Sequence, residues 1–124
     1  MNILDTIIAR KKLEVAERKV RTPVGMLEQS VYFNREPLSL KRFLADEDRT
    51  GIIAEFKRKS PSKGWINAGA DAAVITKAYT DQGASGLSVL TDELFFGGGF
   101  NDFKGARANN IPILRKDFMI DEYQ

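Results

Sequence analysis

The chain has 124 residues, enough for one modest domain, and its 29% charged and 43% hydrophobic content is ordinary for a soluble globular protein. The absence of cysteine excludes disulfides and thiol catalysis, and the absence of histidine removes the commonest metal ligand and general base. Acid–base chemistry therefore falls to Lys, Glu, Asp or Tyr, no zinc site is expected, and a net charge of +2 gives no bulk argument for nucleic acid.

Residues 2 to 20 read as an amphipathic helix. Ile3, Leu4, Ile7, Ile8, Val15 and Val20 mark its apolar stripe, and Arg10, Lys11, Lys12, Glu17, Arg18 and Lys19 fall largely outside it. The start M-N-I-L-D-T-I-I-A-R-K-K lacks the pattern of a secretory signal, and no apolar run is long enough for a membrane span. A cytoplasmic location is expected. Thr22-Pro23 reads as a helix start, with a capping hydroxyl and then proline at the first helical position, for a short helix to Gln29. Residues 33 to 37 are a connector. Ser39 caps a second short helix from Leu40 to about Asp46, and a charged turn follows.

The first strand lies in G-I-I-A-E-F-K from Gly51, and its continuous apolarity at Ile52, Ile53 and Ala54 suits a strand covered on both sides. Alternation places Ile53, Glu55 and Lys57 on one face and Ile52, Ala54 and Phe56 on the other. A carboxylate and an ammonium at the end of an apolar run form either a strand-end ion pair or part of a site. The loop from 58 to 69 holds Ser60-Pro61-Ser62-Lys63-Gly64, a mixture of hydroxyls, turn formers and cations that suits an anionic ligand or a solvated basic loop. Asp71 or its neighbour opens a helix in which Ala72, Ile75, Ala78 and Tyr79 can face a sheet, and Gly83 stops it. A second strand runs from Gly86 to Thr91. The glycines at 97 to 99 read as a flexible turn, without a phosphate-binding signature. A weak helix, interrupted by Gly105, starts at Asn101 or Asp102 and ends near Asn109. The third strand runs from Ile111 to Asp117, with Pro112 at its start. Strands alternating with helices make βα units and a parallel sheet.

The segment E-F-K-R-K-S-P-S-K-G, with S-V-L-T-D at 88 to 92, F-F-G-G at 95 to 98 and I-L-R-K-D-F-M-I-D-E-Y-Q at 113 to 124, resembles the indole-3-glycerol phosphate synthase family of tryptophan biosynthesis. The resemblance runs over essentially the whole chain. It implies an α/β fold, the N-terminal part of a (β/α)8 barrel: a helical extension over residues 1–50, then the first three barrel strands over 51–124. A complete barrel needs about 250 residues, so the chain is expected to be an N-terminal fragment, inactive or nearly so alone, that associates with itself through open edges and an uncovered apolar face.

The family reaction closes a ring in a carboxyphenylamino-deoxyribulose phosphate with loss of carbon dioxide and water. It is a carbon–carbon lyase reaction that uses no cofactor and no metal. By this resemblance Lys116 is the general acid; a lysine in a partly desolvated cavity donates its proton more readily near neutral pH. Lys57 is the second active-site lysine, and Glu55 the carboxylate that positions the lysines and substrate. Ser60, Ser62 and Ser88 are candidate substrate hydrogen-bonders, and Phe96 and Phe118 candidate walls for an aromatic ring. Arg58, Lys59 and Lys63 either steer a doubly anionic substrate or form a solvated loop. Arg115 and Asp117 alternate away from Lys116 and read as structural. The partner expected is a phosphorylated small molecule, with neither nucleic acid nor membrane. The competing readings are a small phosphate- or RNA-binding module built on the loop at 57 to 63, a ligand-free oligomerising remnant, and another phosphate-handling barrel such as a neighbouring isomerase of the pathway.

Overall fold

A computed structural model describes residues 2–124, which fall into two compact units: the residues up to Glu36 with Phe118–Gln124, and Pro37–Asp117. Residues 37–50, read from sequence as part of the helical extension, lie in the second unit.

In the first unit, helix α1 spans Ile3–Arg21 and α2 spans Val24–Glu28. Asn2 starts α1 with a reciprocal cap: its side chain accepts from Asp5 N–H at 2.9 Å, and Asp5 accepts from Asn2 N–H. Arg18, Lys19 and Arg21 place positive charge at the last turn, where the helix dipole is negative. The buried positions are Ile7, Lys11 and Val15, whereas Ile3, Leu4 and Val20 are exposed. The stripe therefore includes a lysine that the sequence reading set outside it. Lys11 sits at the i+4 step between two buried residues, and its ammonium is 2.9 Å from Glu14. Thr22 does not cap α2. It closes α1, donating its N–H to Arg18 O, and Pro23 occupies the α2 cap position without a side-chain bond. The segment after Phe118 folds onto α1. Lys19 pairs with Asp121 at 2.7 Å, and the Tyr123 hydroxyl lies 2.9 Å from Arg18 O and 2.7 Å from Thr22 O.

The second unit holds a three-stranded parallel sheet in the order β1 (Ile53–Phe56), β4 (Gly86–Leu90), β5 (Ile113–Lys116). Helices α4 (Ala72–Asp81) and α5 (Phe100–Ala106) link the strands, and α3 (Leu40–Ala45) precedes them. This is the βαβαβ order of the first strands of a (β/α)8 barrel. Ser39 caps α3 by accepting from Arg42 N–H, and Asp71 caps α4 by accepting from Ala73 and Val74 N–H. The stretch read as a loop after β1 contains a small antiparallel hairpin, β2 (Lys59–Ser60) with β3 (Gly64–Trp65).

One sheet face carries the core. Leu87 and Val89 are buried there with Ala84, Ala106 and Ile111, against Phe43, Ala54, Tyr79, Phe103 and Ile113. On α4 the buried side is Ala72 and Thr76, whereas Ala78 is exposed. Thr76 gives its hydroxyl to Ala72 O at 2.6 Å and accepts from Asn109 Nδ2 at 3.1 Å, so a polar residue joins the two helical segments. Gly105 explains why α5 carries a glycine: a Cβ there would meet Ala73 Cβ at 3.3 Å, where α4 crosses. Helix α5 begins at Phe100 and ends at Ala106, shorter than the sequence pattern predicts. Ile52 and Ile53 are 58% and 41% exposed, against the expectation of a strand covered on both sides. The reason is position: β1 is an edge strand, and the opposite sheet face lacks the helix layer that covers the first.

Candidate active site

Strand alternation fixes what that open face presents. Ile53 and Glu55 from β1, Gly86, Ser88 and Leu90 from β4, and Leu114 and Lys116 from β5 share it. Parallel pairing sets Glu55 opposite Ser88, with Ser88 opposite Leu114 and Leu90 opposite Lys116. Three residues from three strands therefore meet at one atom. Glu55 Oε2 accepts from Ser88 Oγ at 3.0 Å and from Lys116 Nζ at 2.9 Å. Desolvation raises the Glu55 pKa, but the bonds from Lys116 and Ser88 and the charges of Lys116 and Lys57 outweigh it, holding the carboxyl below its ordinary value. The Tyr79 hydroxyl of α4 donates to the Glu55 carbonyl at 3.3 Å, tying the strand carrying this carboxylate to the helix layer.

The remaining candidates separate. Lys57 is exposed just beyond β1 and acts on Glu55 through its charge. Ser60 is buried in the hairpin, where its hydroxyl accepts from Lys63 N–H at 3.2 Å and lies 3.4 Å from Ser62 Oγ. Phe96 is half-buried in the loop after β4. Phe118 belongs to the other compact unit, where its carbonyl accepts from Gln124 Nε2 at 2.9 Å. The Lys116 side chain is 53% exposed.

Arg58 is a framework residue, neither solvated nor free to steer an anion. Its guanidinium forms a two-pronged pair with Asp102, donates through Nε to Ala70 O at 2.8 Å and through Nη1 to Gly97 O at 3.2 Å, and lies 4.9 Å over the Phe56 ring. The Asp102 hydrogen bond raises the Arg58 pKa against a smaller opposing desolvation. Alternation held the signal, since Arg58 falls on the Phe56 side of the strand, away from Glu55. Lys59 donates to Leu94 O at 3.1 Å and lies 5.0 Å from the Trp65 ring, which also occupies it locally.

Asp92 also escaped the sequence reading. It is buried and accepts from Phe95 and Phe96 N–H at 2.7 and 3.2 Å, shaping the glycine-rich turn. That turn is tightly constrained rather than flexible: a Cβ on Gly98 would stand 2.0 Å from Leu90 O. The signal was an aspartate three and four residues before backbone groups that need an acceptor.

A concavity of about 580 Å³ lies between Trp65, Asp71, Gly97 and Asn101, with Arg58 and Asp102 in its wall, and it does not include Glu55, Ser88 or Lys116. The chemistry points to the open sheet face instead, because the ionised and hydrogen-bonding groups converge there. Among the described residues no group of three or more acidic side chains is placed to hold a metal ion, and no helix is long and apolar enough to cross a membrane.

The family model for indole-3-glycerol phosphate synthase matches residues 4–124. The chain is 49% identical to the indole-3-glycerol phosphate synthase of Bacteroides thetaiotaomicron, over 99% of this chain and 47% of that protein. It is 46% identical to that of Syntrophobacter fumaroxidans, over 99% of this chain and 48% of the relative. The second such enzyme of Ralstonia nicotianae is 44% identical, over 100% of this chain and 48% of its own length. The chain thus spans about half the length of the curated relatives it matches. A match over nearly every residue, together with three parallel strands that bring Glu55, Ser88 and Lys116 to one point, places this chain in the indole-3-glycerol phosphate synthase family.

Proposed function

We propose that this chain carries the first part of the active site of a cytoplasmic indole-3-glycerol phosphate synthase, with a phosphorylated anilino-deoxyribulose as substrate. The observation that carries the reading is the shared Glu55 Oε2, which holds the Ser88 hydroxyl and the Lys116 ammonium from three neighbouring strands. Lys116 is the proton donor to the sugar carbonyl oxygen as the ring carbon attacks that carbonyl carbon. Carbon dioxide then leaves the ring carbon and its bonding pair restores the aromatic ring; the hydroxyl, protonated, leaves as water while the adjacent carbon beside the nitrogen gives its proton to a second acid–base group, which closes the new double bond. Glu55 is the counter-ion that keeps Lys116 charged and aimed. Lys57 neutralises substrate anions from the rim. Ser60, Ser62 and Ser88 are the weaker polar contacts, and Phe96 an apolar one. The reading includes no cofactor, metal or nucleic acid.

The chain alone is inactive or nearly so in this reading, because it spans about half the length of its relatives. It also self-associates, through the edges of β1 and β5 and the exposed Ile53 and Leu114 on the open face. The alternative of a nucleic-acid module gains no support from the basic hairpin, since Arg58 and Lys59 are engaged within the protein.

The test joins this chain to the remaining half of the Bacteroides thetaiotaomicron enzyme and assays it in a host lacking its own synthase. The joined protein should turn over, and Lys116→Met should lower kcat by about 10²–10⁴-fold, the usual contribution of a general acid. Unchanged turnover in Lys116→Met would remove Lys116 from the reaction. Turnover by the isolated chain would refute its inactivity.

A further inference from the structure

The motif S-V-L-T-D at 88 to 92 contains one residue with no place in this reading. Thr91 stands just past the end of β4 and is buried. Its N–H and its hydroxyl make three hydrogen bonds, one to each of three consecutive residues of β5 and its exit. The Thr91 N–H donates to Lys116 O at 3.1 Å. The Thr91 hydroxyl donates to Asp117 Oδ2 at 2.7 Å and accepts from Arg115 Nε at 3.1 Å. A threonine hydroxyl has one proton to give and lone pairs to receive, and both functions are used. The far partners are themselves held. The Asp117 side chain is fully buried with Arg115 Nη2 3.8 Å away, and the Arg115 guanidinium lies 4.8 Å over the Phe100 ring at the start of α5.

We propose that Thr91 is a positioning residue for the candidate site: it locks the backbone from Arg115 to Asp117 and thereby aims Lys116 at Glu55. This role rests on the reading of Lys116 as a site residue. A half-exposed lysine has a long, mobile stem, so its reach depends on the direction in which the backbone launches it. Arg115 and Asp117 point to the helix side and Lys116 to the open side. Anchoring both neighbours to one buried threonine fixes the strand's rotation about its axis, and so the Lys116 Cα–Cβ direction. Small errors in such a direction are what an active site tolerates least.

The test reads the ionisation of Glu55 by carbon NMR in this chain, because that carboxylate reports whether the Lys116 ammonium is in place. The charged and polar groups facing Glu55 are Lys116, Lys57 and Ser88. Lys116→Met sets the full effect and should raise the Glu55 midpoint. Thr91→Val, which keeps shape and removes the hydroxyl, should raise it part of the way, and Thr91→Ser should leave it at the wild-type value. Unchanged amide shifts for Leu87 and Val89 would show that the core is intact. A Glu55 midpoint that moves in Lys116→Met but not in Thr91→Val overturns the positioning role alone. A midpoint that does not move in Lys116→Met removes the pair itself, and the site reading falls with the proposal. Should Thr91→Val fail to fold, Asp117→Asn replaces it: it removes the charged acceptor of the Thr91 hydroxyl while keeping its shape. The midpoint should then rise by less, and no rise overturns the proposal.

Discussion

The two faces of the sheet are made by the same strands and differ in almost every physical respect. On the helix side, Leu87 and Val89 are buried among apolar neighbours, and each contributes through area removed from water. On the other side, one residue along in sequence, Ser88 gives its hydroxyl to Glu55 and Leu114 is half exposed. A period of two thus separates the apolar core from the candidate site at a resolution of one residue. Changes on the helix face should cost stability, whereas changes on the open face should cost function or alter association.

The largest stability effect is expected where the core is cut. Leu87→Ala should destabilise the chain by about 2–5 kcal/mol in urea unfolding; a loss below about 1 kcal/mol would mean that this face is not the core. Asp102→Ala comes next. It leaves the Arg58 guanidinium partly buried without its carboxylate, and the cost should be about 3 kcal/mol, at the low end for a broken buried pair. The comparison predicts that Lys116→Met stays far below both values in the same assay.

The pH dependence sharpens the contrast. The Glu55 carboxyl is held below its ordinary value in the folded chain. It therefore adds stability that is present above the ordinary glutamate range, near about 4.3, and is lost as the pH falls through the lowered folded value. Lys116→Met should flatten that part of the stability curve, and an unchanged acid limb would show that the pair contributes nothing. The smallest effects belong to the surface. Lys77 and Asp81 pair at 2.6 Å but are both exposed, so Lys77→Ala should change stability by less than about 0.5 kcal/mol. Leu114→Ser on the open face should leave the unfolding midpoint nearly unchanged while lowering the apparent mass in light scattering. No fall in mass would separate self-association from this face.

Much of this was readable from residue order because it depends on near neighbours. Ser39 and Asp71 announce helices through acceptors two or three residues upstream of the N–H groups they satisfy. Alternation alone placed Arg115 and Asp117 opposite Lys116, as the paired strands confirm. The failures involve partners far along the chain or a choice between competing local roles. Lys11 sits in a buried stripe, which periodicity scores as an error. Arg58 reads as one cation in a basic run because its carboxylate lies 44 residues away. Thr22 had two helix ends to serve, and it closes the earlier one. Ile52 and Ile53 look like interior residues because their type does not say whether a neighbouring layer exists. Within the candidate site, alternation set Glu55 on the open face, opposite Ser88. It could not foretell that Lys116, 61 positions on, would supply the hydrogen bond to Glu55.

The Tyr123 hydroxyl has a consequence for the order in which the protein takes shape. It sits on the carbonyls of Arg18 and Thr22, 105 and 101 positions upstream. While the chain is being synthesised, α1 has its own N-terminal cap from the first residues but must wait for this one. Its last turn can fray until the third strand has emerged and brought Tyr123 back. Helix α1, synthesised before the strands, is thus completed only after the third of them.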